Sequence, residues 1–226
     1  MPEKEIIVKC RGFLFDLDGT LVDSLSVVER AWTEWGARHG FDAETILDFV
    51  HGKQAITSVR HFLQGASEEK IQQEFLLLEK REAEDTEGIT ALPGARQLLA
   101  TLDELHIPWA IVTSGSMPVA SARHRVAGLA TPDIFITAER VERGKPEPDP
   151  YMLGAQLLGL EPEECVVVED ANAGILSGLA AGCHVVAVSP PADAPRLDAV
   201  AMVLNSLEEM VISKDGEGWV SVHRRH

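Results

Sequence analysis

The sequence predicts an α/β protein, a parallel β-sheet covered on both faces by helices, with an all-α domain inserted near its start. Three observations carry this. Short, continuous apolar runs (Phe13-Leu14-Phe15, Ala110-Ile111-Val112, Val166-Val167-Val168) alternate with helical segments from Ala91 onward, the pattern of strands buried on both faces. Between residues 24 and 88 nothing reads as a strand. Several apolar runs end on polar residues, as at Asp16 and Asp18, Thr113, and Glu169-Asp170, and the carboxyl ends of the strands are where open α/β sheets bind ligands.

Taken in order, Ile6 to Asp16 reads as the first strand. Leu25, Val28, Trp32 and Trp35 then recur at helical spacing, with Asp23 or Ser24 able to cap and Gly40 ending the helix. Helical segments follow at Ala43–Val50 and Gln54–Leu63, interrupted by His51-Gly52 and Gln64-Gly65. Ser67 caps a charged helix over Glu68–Glu84, whose first turn carries Glu68 and Glu69. Pro93-Gly94 opens a helix to about Leu105, and Pro108–Thr113 is a strand. A helix near Val119–Ala127, a strand at Ile134–Thr137, a helix from Asp149 to Leu160 and a strand from Cys165 continue the alternation. Ala173–Ala181 is helical, His184–Val188 a strand and Ala201–Leu204 a weaker one. The tail from Val211 to Val222, with Asp215-Gly216 in its middle, reads as a hairpin. The division is therefore a core of residues 1–23 plus 89–226 and a helical insertion of residues 24–88.

Composition narrows the function. The chain has 226 residues, 45% hydrophobic and 25% charged, with a formal net charge of −16. That charge argues against nucleic acid, which needs a basic surface. No apolar run approaches membrane-spanning length, and Met1-Pro2-Glu3-Lys4-Glu5 opens without an apolar signal core. Cys10, Cys165 and Cys183 are odd in number and have no metal-binding spacing, so buried free thiols are expected. A cytoplasmic protein with no membrane partner follows.

The chemistry lies at the strand ends. Asp16 and Asp18 stand one residue apart before Gly19-Thr20, and two carboxylates so close need a cation, a proton or donors. Thr113-Ser114-Gly115 offers a hydroxyl and backbone N–H groups ahead of a helix, an anion site. Arg143-Gly144-Lys145-Pro146 presents a lysine and is not a Walker loop, because no glycine stands five residues before Gly144. Glu169-Asp170 closes an otherwise apolar strand. Singly, each is a common turn or cap. Together they place carboxylates, a hydroxyl and a lysine at one sheet edge. Such a set suits Mg²⁺ and a phosphoryl group, and a carboxylate nucleophile can split ester hydrolysis into two steps through an aspartyl phosphate.

The order Asp16-Leu17-Asp18-Gly19-Thr20, then Thr113-Ser114-Gly115, then Gly144-Lys145-Pro146, then Glu169-Asp170 with Gly174 behind it, resembles the four motifs of the haloacid dehalogenase superfamily. The helical insertion resembles that superfamily's cap, and the flanking residues resemble its branch acting on glycerol, hexitol and sugar phosphates. The likeness stops at about Ser206. It implies a Rossmann-like core and a Mg²⁺-dependent phosphatase acting on a small phosphorylated metabolite, and a monomer is expected. Asp16 is implied as nucleophile and metal ligand. Asp18 is implied as general acid/base, with its main-chain carbonyl on the metal. Thr113 is implied on the phosphoryl group through its hydroxyl, Ser114 and Gly115 through their backbone N–H groups, and Lys145 as a bridge between Asp16 and the phosphoryl oxygens. Asp170 is implied as a further metal ligand, with Glu169 either a ligand or behind one. The cap loop His51-Gly52-Lys53 would touch the leaving group through His51 and Lys53.

Three other activities use similar residues. Dehalogenation needs neither a leaving-group acid nor Mg²⁺ carboxylates, and a phospho-acceptor signalling domain orders its acidic residues differently and lacks such an insertion. A phosphomutase is nearer. Related β-phosphoglucomutases use a histidine twelve residues beyond the nucleophile, and here that place is Val28.

Overall fold

The computed structural model describes residues 7–225. Its centre is a six-stranded parallel sheet in the order β6-β5-β2-β7-β8-β9. The strand read as starting at Ile6, a residue outside those described, divides at Arg11. β1 (Val8–Cys10) and β2 (Gly12–Phe15) belong to different sheets. β2 joins the large sheet with all four residues buried, which is why it lacks alternation. Phe13, Leu14 and Phe15 have no exposed surface, each contributing about 1.5–3 kcal/mol by burial. β1 instead pairs antiparallel with the tail.

After the turn at Gly19 come β3 (Val22–Asp23) and four helices, α1 (Leu25–Arg38), α2 (Ala43–Val50), α3 (Ala55–Phe62) and α4 (Glu68–Glu84). The chain returns through β4 (Thr90–Ala91), which pairs with β3, so the helical segment leaves and rejoins the core over one two-stranded ribbon. Ala31, Trp32, Trp35, Ile46, Val50, Val59, Ile71 and Leu78 form this segment's own apolar cluster. The stripe on α1 is shifted from the one read in the sequence: Leu25 is 52% exposed, while Val27 and Ala31 are buried beside Trp32 and Trp35. Ser24 stands at the capping position just before α1, but its side chain makes no cap bond. Asp42 and Ser67 do cap α2 and α4, accepting from Thr45 N and Lys70 N. Within α4, Glu74 is buried and accepts from Trp35 Nε1 (3.1 Å) and Lys70 Nζ (2.8 Å), and it pairs with His39 Nε2 (3.0 Å).

The core continues with α5 (Ala95–Glu104), β5 (Trp109–Val112), α6 (Met117–Ala127), β6 (Ile134–Ile136), α7 (Asp149–Leu158), β7 (Cys165–Glu169), α8 (Asn172–Ala180), β8 (His184–Val188) and β9 (Met202–Leu204). The tail forms the hairpin β10 (Met210–Lys214) and β11 (Val220–Arg224), and β1 completes a three-stranded sheet with it. Cys10, Cys165 and Cys183 are buried free thiols, and burial pushes each up to about 12. No helix among the described residues is long and apolar enough to cross a membrane.

Strand order sets the site. β2 lies between β5 and β7, with Phe15 level with Ile111 on one side and Val168 on the other. The residues just beyond these three strands therefore stand side by side, at the point where the chain's order along the sheet reverses.

Candidate active site

Asp16 follows β2 and is 7% exposed. Its Oδ1 accepts from Lys145 Nζ at 2.9 Å, and its Oδ2 lies 3.3 Å from the Thr20 hydroxyl. Thr20 also donates to Asp170 Oδ1 at 3.0 Å, tying the end of β2 to the end of β7. The turn between them requires glycine. Gly19 has φ +83, and a Cβ there would stand 2.1 Å from Asp170 Oδ2.

Glu169, 1% exposed, is the last residue of β7. Its Oε1 accepts from Lys145 Nζ (2.7 Å) and Tyr151 Oη (2.5 Å), and its Oε2 from the backbone N–H groups of Asp170 (3.2 Å) and Ala171 (3.5 Å). It fits only because residue 174 is glycine, since a Cβ there would stand 1.8 Å from Oε1. Lys145 spends its third N–H on Val112 O at 2.9 Å, so all three of its donors are filled.

Oxygens of Asp16, Glu169 and Asp170 lie within 4.8 Å of one another. Crowding shows in their proton affinities. Burial, then the charge of Asp16, pushes Glu169 up to about 7, and burial with Asp16 and Glu169 lifts Asp170 well above the ordinary range. Burial by itself would lower Lys145, but Asp16 and Glu169 raise it, so it stays an ammonium. The cluster is all hard carboxylate oxygen, the donor type of Mg²⁺, which would relieve the repulsion. Each Glu169 oxygen already accepts two bonds, and Oε1 braces Lys145, whereas the Asp16 oxygens accept one each and Asp170 accepts through Oδ1 from Thr20, so Asp16 and Asp170 have more capacity left for a cation.

Asp18 stands apart from that cluster. Its Oδ1 accepts from Ser24 Oγ at 2.6 Å and from Arg123 Nη1 at 3.1 Å. Its Oδ2 points toward the loop after β5, 3.9 Å from where a Cβ on Gly115 would stand. In that loop Gly115 N donates to Thr113 Oγ1 at 3.0 Å, which orients the hydroxyl and leaves its hydrogen free. Ser114 is turned elsewhere, its Oγ donating to Gly52 O in the helical segment at 3.1 Å.

The loop between α2 and α3 meets the core through Gly52. A Cβ at that glycine would stand 2.8 Å from the Ala171 Cβ. His51 is exposed, and no hydrogen bond of its ring is found among the described residues. Lys53 folds back onto α2, with Nζ donating to Phe49 O at 2.6 Å and lying 4.2 Å from the Phe49 ring centroid. The carbonyls at the end of a helix attract an ammonium, which accounts for this placement of Lys53. Sequence reasoning passed over Tyr151, Ser24, Arg123 and Glu82. Arg123 had a signal: it is a lone cation on the Ala120–Arg123–Ala127 face of an alanine-rich helix.

Comparison with known proteins agrees with this geometry. A family model described as "haloacid dehalogenase-like hydrolase" matches residues 10–182. Hexitol phosphatase A of Escherichia coli K12 is 66% identical over 95% of this chain and 100% of its own length. Glycerol-1-phosphate phosphohydrolase 2 of Saccharomyces cerevisiae is 33% identical over 85% of this chain and 80% of its own. The crystal structure of a β-phosphoglucomutase from Clostridium difficile superposes with a TM-score of 0.79 at 23% identity, covering 88% of this chain and 92% of that one, a likeness of fold.

Proposed function

The chain belongs to the haloacid dehalogenase-like hydrolases, and on that premise we propose that it is a phosphatase of small polyol or sugar phosphates working through an aspartyl phosphate on Asp16. The observation that carries the reading is the convergence at adjacent strand ends of a buried carboxylate held by lysine (Asp16 and Lys145, 2.9 Å) and a second carboxylate, Asp18, anchored through one oxygen only. In the first step a carboxylate oxygen of Asp16 bonds to phosphorus as the ester P–O bond breaks. The leaving oxygen takes the proton of the Asp18 carboxyl and departs as an alcohol. In the second, Asp18, now a carboxylate, removes a proton from water as the water oxygen bonds to phosphorus. The bond to Asp16 breaks, Asp16 is restored and inorganic phosphate leaves.

Thr113 donates its free hydroxyl hydrogen to the phosphoryl group. Lys145, its donors filled by Asp16, Glu169 and the Val112 carbonyl, holds the Asp16 carboxylate in place. Asp16 and Asp170 would hold Mg²⁺, with the Asp18 main-chain carbonyl, and the ion would neutralise charge on the phosphoryl oxygens. Residues 24–88 form the cap, whose closure excludes bulk water. Both Gly52 contacts, with Ser114 and Ala171, are what a shut cap provides. The identity to hexitol phosphatase A favours a hexitol phosphate as substrate. Val28, packed against the cap's apolar cluster, offers no base to favour a sugar hydroxyl over water, which supports hydrolysis over phosphoryl return.

Phosphate release from hexitol, sugar and glycerol phosphates, with Mg²⁺ and with chelator, tests the reading. Turnover should require the ion and vanish in Asp16→Asn. Retained activity in Asp16→Asn would remove the nucleophile assignment. On β-glucose 1-phosphate with a trace of bisphosphate, accumulation of glucose 6-phosphate faster than inorganic phosphate would establish a mutase instead.

A further inference from the structure

Arg123, on α6, is 3% exposed and joins two carboxylates from different parts of the molecule. Its Nη1 donates to Asp18 Oδ1 at 3.1 Å, and its Nη2 to Glu82 Oε2 at 2.5 Å. Glu82 lies near the end of α4, the last cap helix before the chain returns to the core, and is 6% exposed. Ser24, the other donor to Asp18 Oδ1, is the residue from which α1 starts, where the chain enters the cap. Asp18 is thus held by a residue at the cap's exit, acting through a core arginine, and by a residue at its entrance.

The geometry selects an oxygen. Both donors fix Oδ1, no hydrogen bond to Oδ2 is found among the described residues, and Oδ2 is the atom turned toward the Thr113–Gly115 loop. A guanidinium is suited to this because its donors diverge in a fixed plane, so placing one nitrogen on Glu82 sets the direction of the other. A buried ion pair that loses one partner leaves an uncompensated charge. Moving α4 away therefore disturbs Arg123, and with it the orientation of Asp18. We propose that Arg123 is a positioning residue that couples cap closure, through Glu82, to the aim of Asp18 at the leaving oxygen. The acid then faces the substrate only when the cap is shut. This rests on the reading of Asp18 as the general acid.

The test uses leaving-group dependence, which an ion pair serving only the fold would not alter. kcat/KM covers the steps up to transfer onto Asp16. In that transfer an alkoxide must be protonated as the P–O bond breaks, whereas p-nitrophenolate leaves without help. Sorbitol 6-phosphate and p-nitrophenyl phosphate are compared in wild type, Asp18→Asn, Arg123→Lys, Arg123→Met and Glu82→Gln. General acid help is worth about 10²–10⁴ in rate. Arg123→Met should therefore lower kcat/KM on sorbitol 6-phosphate by about 10²-fold or more and on p-nitrophenyl phosphate by less than about tenfold. Glu82→Gln, which leaves Arg123 in place, should show the same selectivity to a smaller extent. Arg123→Lys keeps the charge without the fork and should behave like Arg123→Met; it serves as the test if the methionine variant does not fold. Equal losses on both substrates, or none on either, overturn the proposal. If Asp18→Asn is selective and the Arg123 variants are not, only the coupling fails. If Asp18→Asn is itself unselective, the acid assignment fails and the coupling with it.

Discussion

Tyr151→Phe isolates one hydrogen bond at the base of the site. The Tyr151 side chain is wholly buried, and its Oη stands 2.5 Å from Glu169 Oε1. Phenylalanine keeps the ring in the cluster with Leu14, Val112 and Ile175. It also keeps the ring face that lies 5.0 Å from Lys145 Nζ. Only the hydroxyl is lost, so no cavity term enters. A hydrogen bond to a charged group contributes about 1.5–3 kcal/mol, and at this chain length each kcal/mol shifts Tm by about 2–4 °C. The expected fall in Tm is then about 3–12 °C. Urea unfolding at pH 7 should show a lower midpoint at unchanged slope. Activity should fall by less than about tenfold, because Lys145 and the Asp170 N–H still hold Glu169 in place. A stability loss below about 0.5 kcal/mol would refute the reasoning, since it would mean that the hydroxyl does nothing for a buried carboxylate.

Two further predictions concern packing and charge. In Gly174→Ala a methyl group 1.8 Å from Glu169 Oε1 must displace that carboxylate; phosphate release should fall at least about 10²-fold and stability by about 1–3 kcal/mol, as for overpacking, and near-normal turnover would show that the brace on Lys145 is dispensable. Glu74 on α4 loses a proton more readily than an ordinary glutamate: burial works against this, but Lys70 and His39 pull it down to about 2. A depressed carboxylate stabilises above its unfolded value of 4.5, and that contribution fades as pH falls from about 5 toward 2. Glu74→Gln should therefore cost no more than about 3 kcal/mol at pH 7, as Lys70 is half exposed and screened. The gap from wild type should close with acid in pH-dependent urea melts, and a gap that stays constant with pH would assign the loss to packing.

Legibility in the sequence followed from how each residue advertises itself. Asp16, Thr113, Glu169 and Asp170 end apolar runs, so strand burial and polar chemistry meet at a visible boundary. Arg123 and Tyr151 do their work from inside helices, where arginine and tyrosine are ordinary residues and only the partner makes them unusual. Glu82 looks like one charge among many on α4, whose Leu76 and Leu77 are exposed while Glu74 and Glu82 are buried. That inversion of the usual pattern cannot be read from hydropathy. The break at Arg11 was invisible because Val8–Cys10 and Gly12–Phe15 are both good strands, and only the hairpin at the far end of the chain draws the first of them into another sheet. β3 and β4 have two residues each and leave no periodicity to detect.

The charge puzzle set by an acidic chain and an anionic substrate is answered locally, and only in part by the protein. Lys145 is already neutralised by Asp16 and Glu169, and Arg123 by Asp18 and Glu82. Neither cation has charge to spare for a phosphate dianion. Asp170 adds a further carboxylate, its proton affinity raised first by burial and then by the charges of Asp16 and Glu169. On the proposed reading such a site would repel phosphate, and a divalent cation held by Asp16 and Asp170 would offset that repulsion. The six fixed charges of the Lys145 and Arg123 groups then serve geometry more than attraction. They hold Oδ1 of Asp16 and Oδ1 of Asp18, leaving Oδ2 of Asp16 to the Thr20 hydroxyl and Oδ2 of Asp18 with no hydrogen bond among the described residues.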